Sequence, residues 1–224
     1  MNSRFARIIA LIGLAAGPLS LIVANVVQWM LQPTGPDPTP TAVAQQFPAA
    51  WLAVGTLSVF GPIIWLAGLG AVDALASGRG ALTTRIGVLV TGLGLATGIG
   101  HLAAFFGVYG TIAAAGVEPG VVSSLGAAAD GEPLGNILLI AFLVCYSLGP
   151  IIMTVGLRIG RRLAVWAPIA AVVTAGANLF GGPIAGVVQL LALAAVWGAV
   201  FVAVSRASQT TAERRVPASA AAQV

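Results

Sequence analysis

LGNILLIAFLVCYSLGPIIMTVGL, residues Leu134 to Leu157, runs from just after Glu132 to Arg158 without a charged side chain and is followed at once by RIGRR, residues 158–162. At 1.5 Å per residue, a run of this length makes a helix long enough for the roughly 30 Å hydrocarbon core of a bilayer. Its apolar residues are continuous rather than alternating, so a helix is expected and not a strand of a closed barrel. The arginines behind it are the sign of a cytoplasmic turn.

The same pattern recurs along the chain. A first span is expected over about Ile8 to Met30, behind Arg4 and Arg7, and its apolar stretch exceeds a secretory h-region, so it reads as a retained helix. A second covers about 49–72 and a third about 86–110, with DALASGRGALTTR between them. The fourth is 134–157, the fifth about 163–180, and the sixth about 184–205 after the GGP turn. The fold class expected is all-α: an integral membrane six-helix bundle over residues 1–205, with a disordered cytoplasmic tail over 206–224, where RASQTTAERRVPASAAAQV offers little to build a core.

Composition leads to the same class. The 224 residues are 58% hydrophobic and 7% charged, with a mean hydropathy of +1.02, whereas soluble domains carry roughly 25% charged residues. Arg4, Arg7, Arg79, Arg85, Arg158, Arg161, Arg162, Arg206, Arg214 and Arg215 all fall on one side of the bundle so drawn, which puts both termini in the cytoplasm. The net charge of +4 is therefore a topology signal, and with no basic domain behind it no nucleic-acid partner is expected. Ala, Gly and Val dominate the apolar runs and the basic residues are arginines throughout, the coding bias of a GC-rich bacterium, so a bacterial plasma membrane is the expected location.

Two segments belong outside the hydrocarbon. QPTGPDPTPTAVAQQFP, with prolines at 33, 36, 38, 40 and 48, is expected to exclude regular helix and run extended. The stretch from Thr111 to Pro133, with Glu118, Asp130 and Glu132 and no basic residue, is expected to hold a short interfacial helix between its glycines.

LSVFGPIIWLAGL (Leu57 to Leu69) and CYSLGPIIMTVGL (Cys145 to Leu157) share Gly-Pro-Ile-Ile and a later Gly-Leu at one offset. Helices two and three would then be a parallel repeat of helices four and five, as in some transporters. Gly61, Pro62, Gly149 and Pro150 interrupt the backbone ladder inside their spans, which makes them candidate hinges or pocket walls. Glycines four apart, such as Gly13 and Gly17 or Gly94 and Gly98, permit close helix approach, and the glycine-rich third span is expected at the centre of the bundle.

Chemistry has few places to reside. Asp37, Asp73, Glu118, Asp130, Glu132 and Glu213 all map to loops, edges or tail, so no intramembrane carboxylate is available to carry a proton. One histidine and one cysteine, Cys145, are too few for a zinc site, and no cofactor or metal is expected. His101 follows Arg85 by 16 positions, about 24 Å along a helix. That depth is shared by Asn25, Gln28, Asn178 and Gln189, and these residues are expected to line an outward-facing polar vestibule for a small, mostly apolar molecule. Thr56, Ser58, Tyr146, Ser147 and Thr154 are assigned backbone-capping roles near the kinks. The reading that competes with the vestibule is that helix ends are polar everywhere, with Trp29, Trp51 and Tyr109 as an interfacial aromatic belt.

In span order, external loops and the arginine turn between helices four and five, the chain resembles uncharacterised six-helix bacterial membrane proteins of GC-rich, actinobacterial type. That resemblance implies no functional residue. Two further function classes fit the same residues: a non-catalytic module whose glycine-rich helices dock another membrane protein or a second copy and whose arginine-bearing tail meets cytoplasmic partners or anionic membrane lipid, and an intramembrane enzyme on a lipid or isoprenoid substrate, for which His101 is the one acid-base group in reach.

Overall fold

The structure, a computed structural model, describes residues 4–31, 39–116, 118–180 and 182–213. Its eight helices, in chain order, are α1 (Arg4–Met30), α2 (Pro40–Gln46), α3 (Pro48–Asp73), α4 (Ala81–Ala114), α5 (Pro119–Asp130), α6 (Pro133–Ile159), α7 (Trp166–Phe180) and α8 (Gly182–Glu213). Five of them, α1, α3, α4, α6 and α8, are long and apolar enough to cross a membrane. Large apolar side chains point away from the bundle all along them, with Leu89 73%, Leu191 68% and Leu52 71% exposed. Water would not tolerate so continuous an apolar exterior, and the protein is membrane-embedded.

The remaining span expectation, 163–180, is a shorter helix. α7 has 15 residues, about 22 Å of rise. It starts at Trp166 because the chain reverses just before it. Arg161 takes a left-handed φ of 58°, its N–H donates to Arg158 O, and the Arg162 N–H donates to Leu157 O at 2.8 Å. This is the Schellman closure that ends a helix, here with arginine where glycine is usual.

Helix starts outside the long spans are set by proline. Pro40, Pro48, Pro119 and Pro133 each open a helix, the position where the missing N–H costs nothing and the fixed φ is already helical. Thr39 caps α2 by accepting from the Ala42 N–H at 3.2 Å, and the Glu132 carboxylate accepts from the Leu134 N–H at 3.0 Å. The expectation that Pro40 and Pro48 keep the connector extended is thus corrected, since they begin α2 and α3. Prolines 33, 36 and 38 lie outside the described residues. The expected short helix in the acidic loop is α5.

α8 also runs past Ser205 to Glu213, so the tail boundary at 206 moves. Extending an existing helix skips the nucleation cost, and Arg, Ala, Gln and Glu are good helix formers. Arg214, Arg215 and the rest of 214–224 lie outside the described residues.

The helices pair as antiparallel hairpins: α1 with α3, α4 with α6, α7 with α8. In the first, a Cβ on Gly61 would meet Ser20, one on Gly17 would meet Trp65, and one on Gly13 would meet Gly68. In the second, Gly149 faces Thr91, Gly87 faces Met153, and Gly156 faces Thr84. The two Gly-Pro helices therefore present the same three positions, 61/65/68 and 149/153/156, to small residues of the helix two elements earlier. Such seams let backbones approach where lipid supplies no hydrophobic drive.

The centre of the bundle is not α4. Its glycines lie mostly on the one seam with α6, while Leu82, Leu89 and Leu93 are exposed. Glycine marks a close approach on one side and says nothing of the other. The core instead gathers on α1, α3, α6 and α8, around Trp65 and Trp197, whose rings cross edge to face at 4.6 Å. Gly80 lies against Gly156 and Ile159, and Arg162 reaches the Ser77 hydroxyl at 3.2 Å, which joins two arginine-bearing turns at one end.

Candidate functional site

At the opposite end lies a cavity of about 270 Å³. Its wall takes Leu21, Asn25 and Gln28 from α1, Ser58 from α3, His101, Leu102, Phe105 and Phe106 from α4, Phe142 and Tyr146 from α6, Asn178 from α7, and Gln189, Leu190 and Leu193 from α8. All five polar residues that sequence depth selected, Asn25, Gln28, His101, Asn178 and Gln189, stand on this one wall. Antiparallel pairing brings the late part of α1, α4 and α7 level with the early part of α3, α6 and α8.

Each polar group is held differently. Asn25 Nδ2 donates to Leu21 O at 2.8 Å, leaving its second N–H and its carbonyl oxygen uncommitted. Gln189 Nε2 donates to Asn178 Oδ1 at 3.1 Å, which ties α7 to α8 across the wall. His101 Nδ1 lies 3.2 Å from Gly135 O. A carbonyl can only accept, so Nδ1 carries a proton and donates, and in the tautomer protonated at Nδ1 alone Nε2 is an acceptor. Gln28 is exposed and Ser58 and Tyr146 are buried, so the cavity runs from a mouth at Gln28 to a floor at Ser58 and Tyr146.

The floor was not legible beforehand. Thr56 and Thr154 do bond back to their own helices, at 2.8 Å to Leu52 O and 2.7 Å to Pro150 O. The Ser58 and Tyr146 hydroxyls make no hydrogen bond among the described residues, and both open onto the cavity. Each stands four residues before a kink proline, so Pro62 and Pro150 also deprive the Ser58 and Tyr146 carbonyls of their ordinary helical donors. Buried polar groups are nearly always satisfied, and a cluster lacking protein partners around a void is where water or a ligand supplies them. Of the proposed hinge residues, Gly61, Pro62 and Gly149 are absent from the cavity wall, and Pro150 lines a smaller void beside Tyr146, Ser147, Thr174 and Trp197.

Sequence reasoning also missed Phe105, Phe106 and Phe142. The signal was available: 101, 102, 105 and 106 form one helical stripe. Phe105 and Phe106 continue into a cluster with Trp51 and Tyr109. There Trp51 Nε1 donates to Phe106 O at 3.0 Å and the Tyr109 hydroxyl donates to the Asp130 carboxylate. Trp51 and Tyr109 are thus buried in contacts that dock α2 and α5 on α4, rather than standing in a lipid-facing belt; Trp29, 39% exposed, packs on Gly186.

Beneath the floor, apart from the smaller void beside Pro150, the helices close on one another. Trp65, Leu95, Met153 and Val200 are fully buried, and the indole N–H groups of Trp65 and Trp197 have no hydrogen-bond partner there. Among the described residues no Asp, Glu, Lys or Arg lines the cavity, and no three of His, Cys, Asp and Glu gather as metal ligands would. The arrangement can hold a small uncharged molecule, offering hydrogen bonds at its rim and apolar contact elsewhere. No protein family, no curated protein and no solved structure matches this chain.

Proposed function

We propose that the protein is a six-crossing bundle of a bacterial plasma membrane, with both termini cytoplasmic, that binds a small and mostly apolar molecule in an outward-facing vestibule. The observation that carries this reading is the cavity wall, to which α1, α3, α4, α6, α7 and α8 all contribute from one end and at whose floor the Ser58 and Tyr146 hydroxyls have no hydrogen-bond partner among the described residues. Occluded below by Trp65 and Trp197, it is a binding state, and passage would require the helices to part at the Gly-Pro seams. The arginines at the other end support the orientation. The matched seams of α1 with α3 and α4 with α6 favour a duplication of those hairpins over one of helices two and three with four and five.

The glycine pairs that a docking module would use are largely filled from within: Gly13 and Gly17 by α3, Gly94 and Gly98 by α6, Gly186 by Trp29. This favours the ligand reading over assembly.

Native mass spectrometry of the protein extracted from its own membrane tests it. A single species other than bulk lipid is expected on the wild type and is expected to be lost from the Asn178→Leu/Gln189→Leu double variant, which removes both members of the amide pair together and so strands neither. Bulk lipid alone on both proteins would refute the reading. Orientation is checked in a Cys145→Ala background, where a membrane-impermeant maleimide is expected to label Ser123→Cys and not Ser77→Cys in intact cells; the reverse pattern would overturn it.

A further inference from the structure

The cavity has two unlike walls. From α4 and α6 come rings: His101 and Phe105 lie 6.2 Å apart at an interplanar angle of 32°, Phe105 and Phe106 meet at 5.4 Å, and Phe142 and Tyr146 at 5.2 Å. From α1, α7 and α8 come the amides Asn25, Gln28, Asn178 and Gln189, interleaved with Leu21, Leu190 and Leu193. Aromatic faces prefer another π surface or a ring edge, while amides supply N–H donors and carbonyl acceptors in pairs. Among the described residues no Asp, Glu, Lys or Arg lines the wall, which disfavours a charged guest, whose desolvation would find no ionic partner there.

We infer that the vestibule is built for a flat, uncharged ring bearing carbonyl oxygens, its face against Phe105, Phe142 and Tyr146 and its rim against the amides of α1, α7 and α8. This rests on the reading of the cavity as a ligand site. At about 270 Å³ the space is slightly below the roughly 300 Å³ lower bound of pockets for drug-sized ligands, which suits one or two fused rings. The ring carbonyls accept from the amide N–H groups and from the Ser58 and Tyr146 hydroxyls. Any ring N–H or hydroxyl finds an acceptor in His101 Nε2. The same chemistry arrives from two sources, a quinone head dissolved in the bilayer or a free pyrimidine base from the aqueous phase.

The full-length protein in mild detergent is titrated with menadione, with thymine, and with the saturated decalin-1,4-dione, which keeps two carbonyls but is neither flat nor aromatic. Binding of menadione or thymine at least about tenfold tighter than the saturated dione is expected. The tighter of the two names the source as bilayer or water, and either result supports the ring assignment. Phe142→Leu and Phe105→Leu, on different helices, are each expected to weaken the flat probe about tenfold by removing a stacking face, and to weaken the saturated dione less. Equal affinity for flat and saturated probes in the wild type, a comparison that needs no variant to fold, would overturn the ring assignment and leave the cavity reading standing. Failure of all three probes would overturn it as well, and the cavity reading would then stand or fall on the species retained by the protein from its own membrane.

Discussion

Adding one methyl group at Gly94 tests the close packing that shapes the floor of the cavity. A Cβ built there stands 2.5 Å from Tyr146 N, 2.9 Å from Cys145 C and 3.0 Å from Tyr146 Cα. All three are backbone atoms of α6 and cannot swing aside. Ordinary contact begins at 3.4 Å, so Gly94→Ala must push α6 from α4 by about 0.9 Å, and a gap of that size forfeits roughly a quarter to a half of each contact's dispersion energy. Overpacking of this kind costs about 1–3 kcal/mol. Gly107 on the same helix provides the control, because a Cβ there meets nothing within 4 Å and alanine improves helix propensity by up to about 1 kcal/mol. The two variants should therefore differ by about 1–4 kcal/mol, Gly94→Ala destabilising and Gly107→Ala stabilising. The assay is equilibrium unfolding in mixed dodecyl maltoside and dodecyl sulfate micelles, followed by far-UV circular dichroism. Agreement of the two within about 0.5 kcal/mol would show that the α4–α6 seam is looser than the structure describes.

Two more predictions concern groups around the site. Trp197→Phe removes an indole N–H that has no partner, so relief of that unsatisfied donor, about 1–3 kcal/mol, should largely offset the lost volume, whereas Trp197→Ala should cost about 3–5 kcal/mol; equal losses for the two in the same micelle assay would show that the N–H is satisfied. Tyr109→Phe cuts the tie to Asp130 and should speed amide exchange over residues 119–130 about tenfold, the equivalent of about 1.4 kcal/mol, with α3 unchanged; unaltered exchange would mean that packing alone holds α5 on α4.

Some of this was legible in the residues and some was not, for identifiable reasons. Depth along a helix is a count of residues from the nearest arginine, so Asn25, Gln28, His101, Asn178 and Gln189 could be placed at one level without knowing any neighbour. Rotation about the helix axis is harder when most faces are apolar. Ser58 and Tyr146 were therefore read as helix-capping groups, although both look into the cavity, and the phenylalanines of its wall went unremarked. The prolines before the outer helices misled in another way. Proline breaks a helix from within but opens one at its first residue, and the choice at Pro40 depends on Thr39 being free to cap and on Thr41 and Ala44 finding burial on the bundle.

By itself the sequence determined the helical class, the long apolar elements, the loops that bear arginine and the end at which uncharged polar side chains collect. These follow because a bilayer leaves backbone groups no partner but their own helix, and because apolar length and charge are local properties of the chain. Only the tertiary structure decided which helices pair, that α1, α3, α6 and α8 rather than α4 hold the centre, and that rings face amides across one cavity. Within a uniformly apolar chain, neighbours are selected by shape, glycine against backbone over sub-ångström margins, and that complementarity exists only between helices.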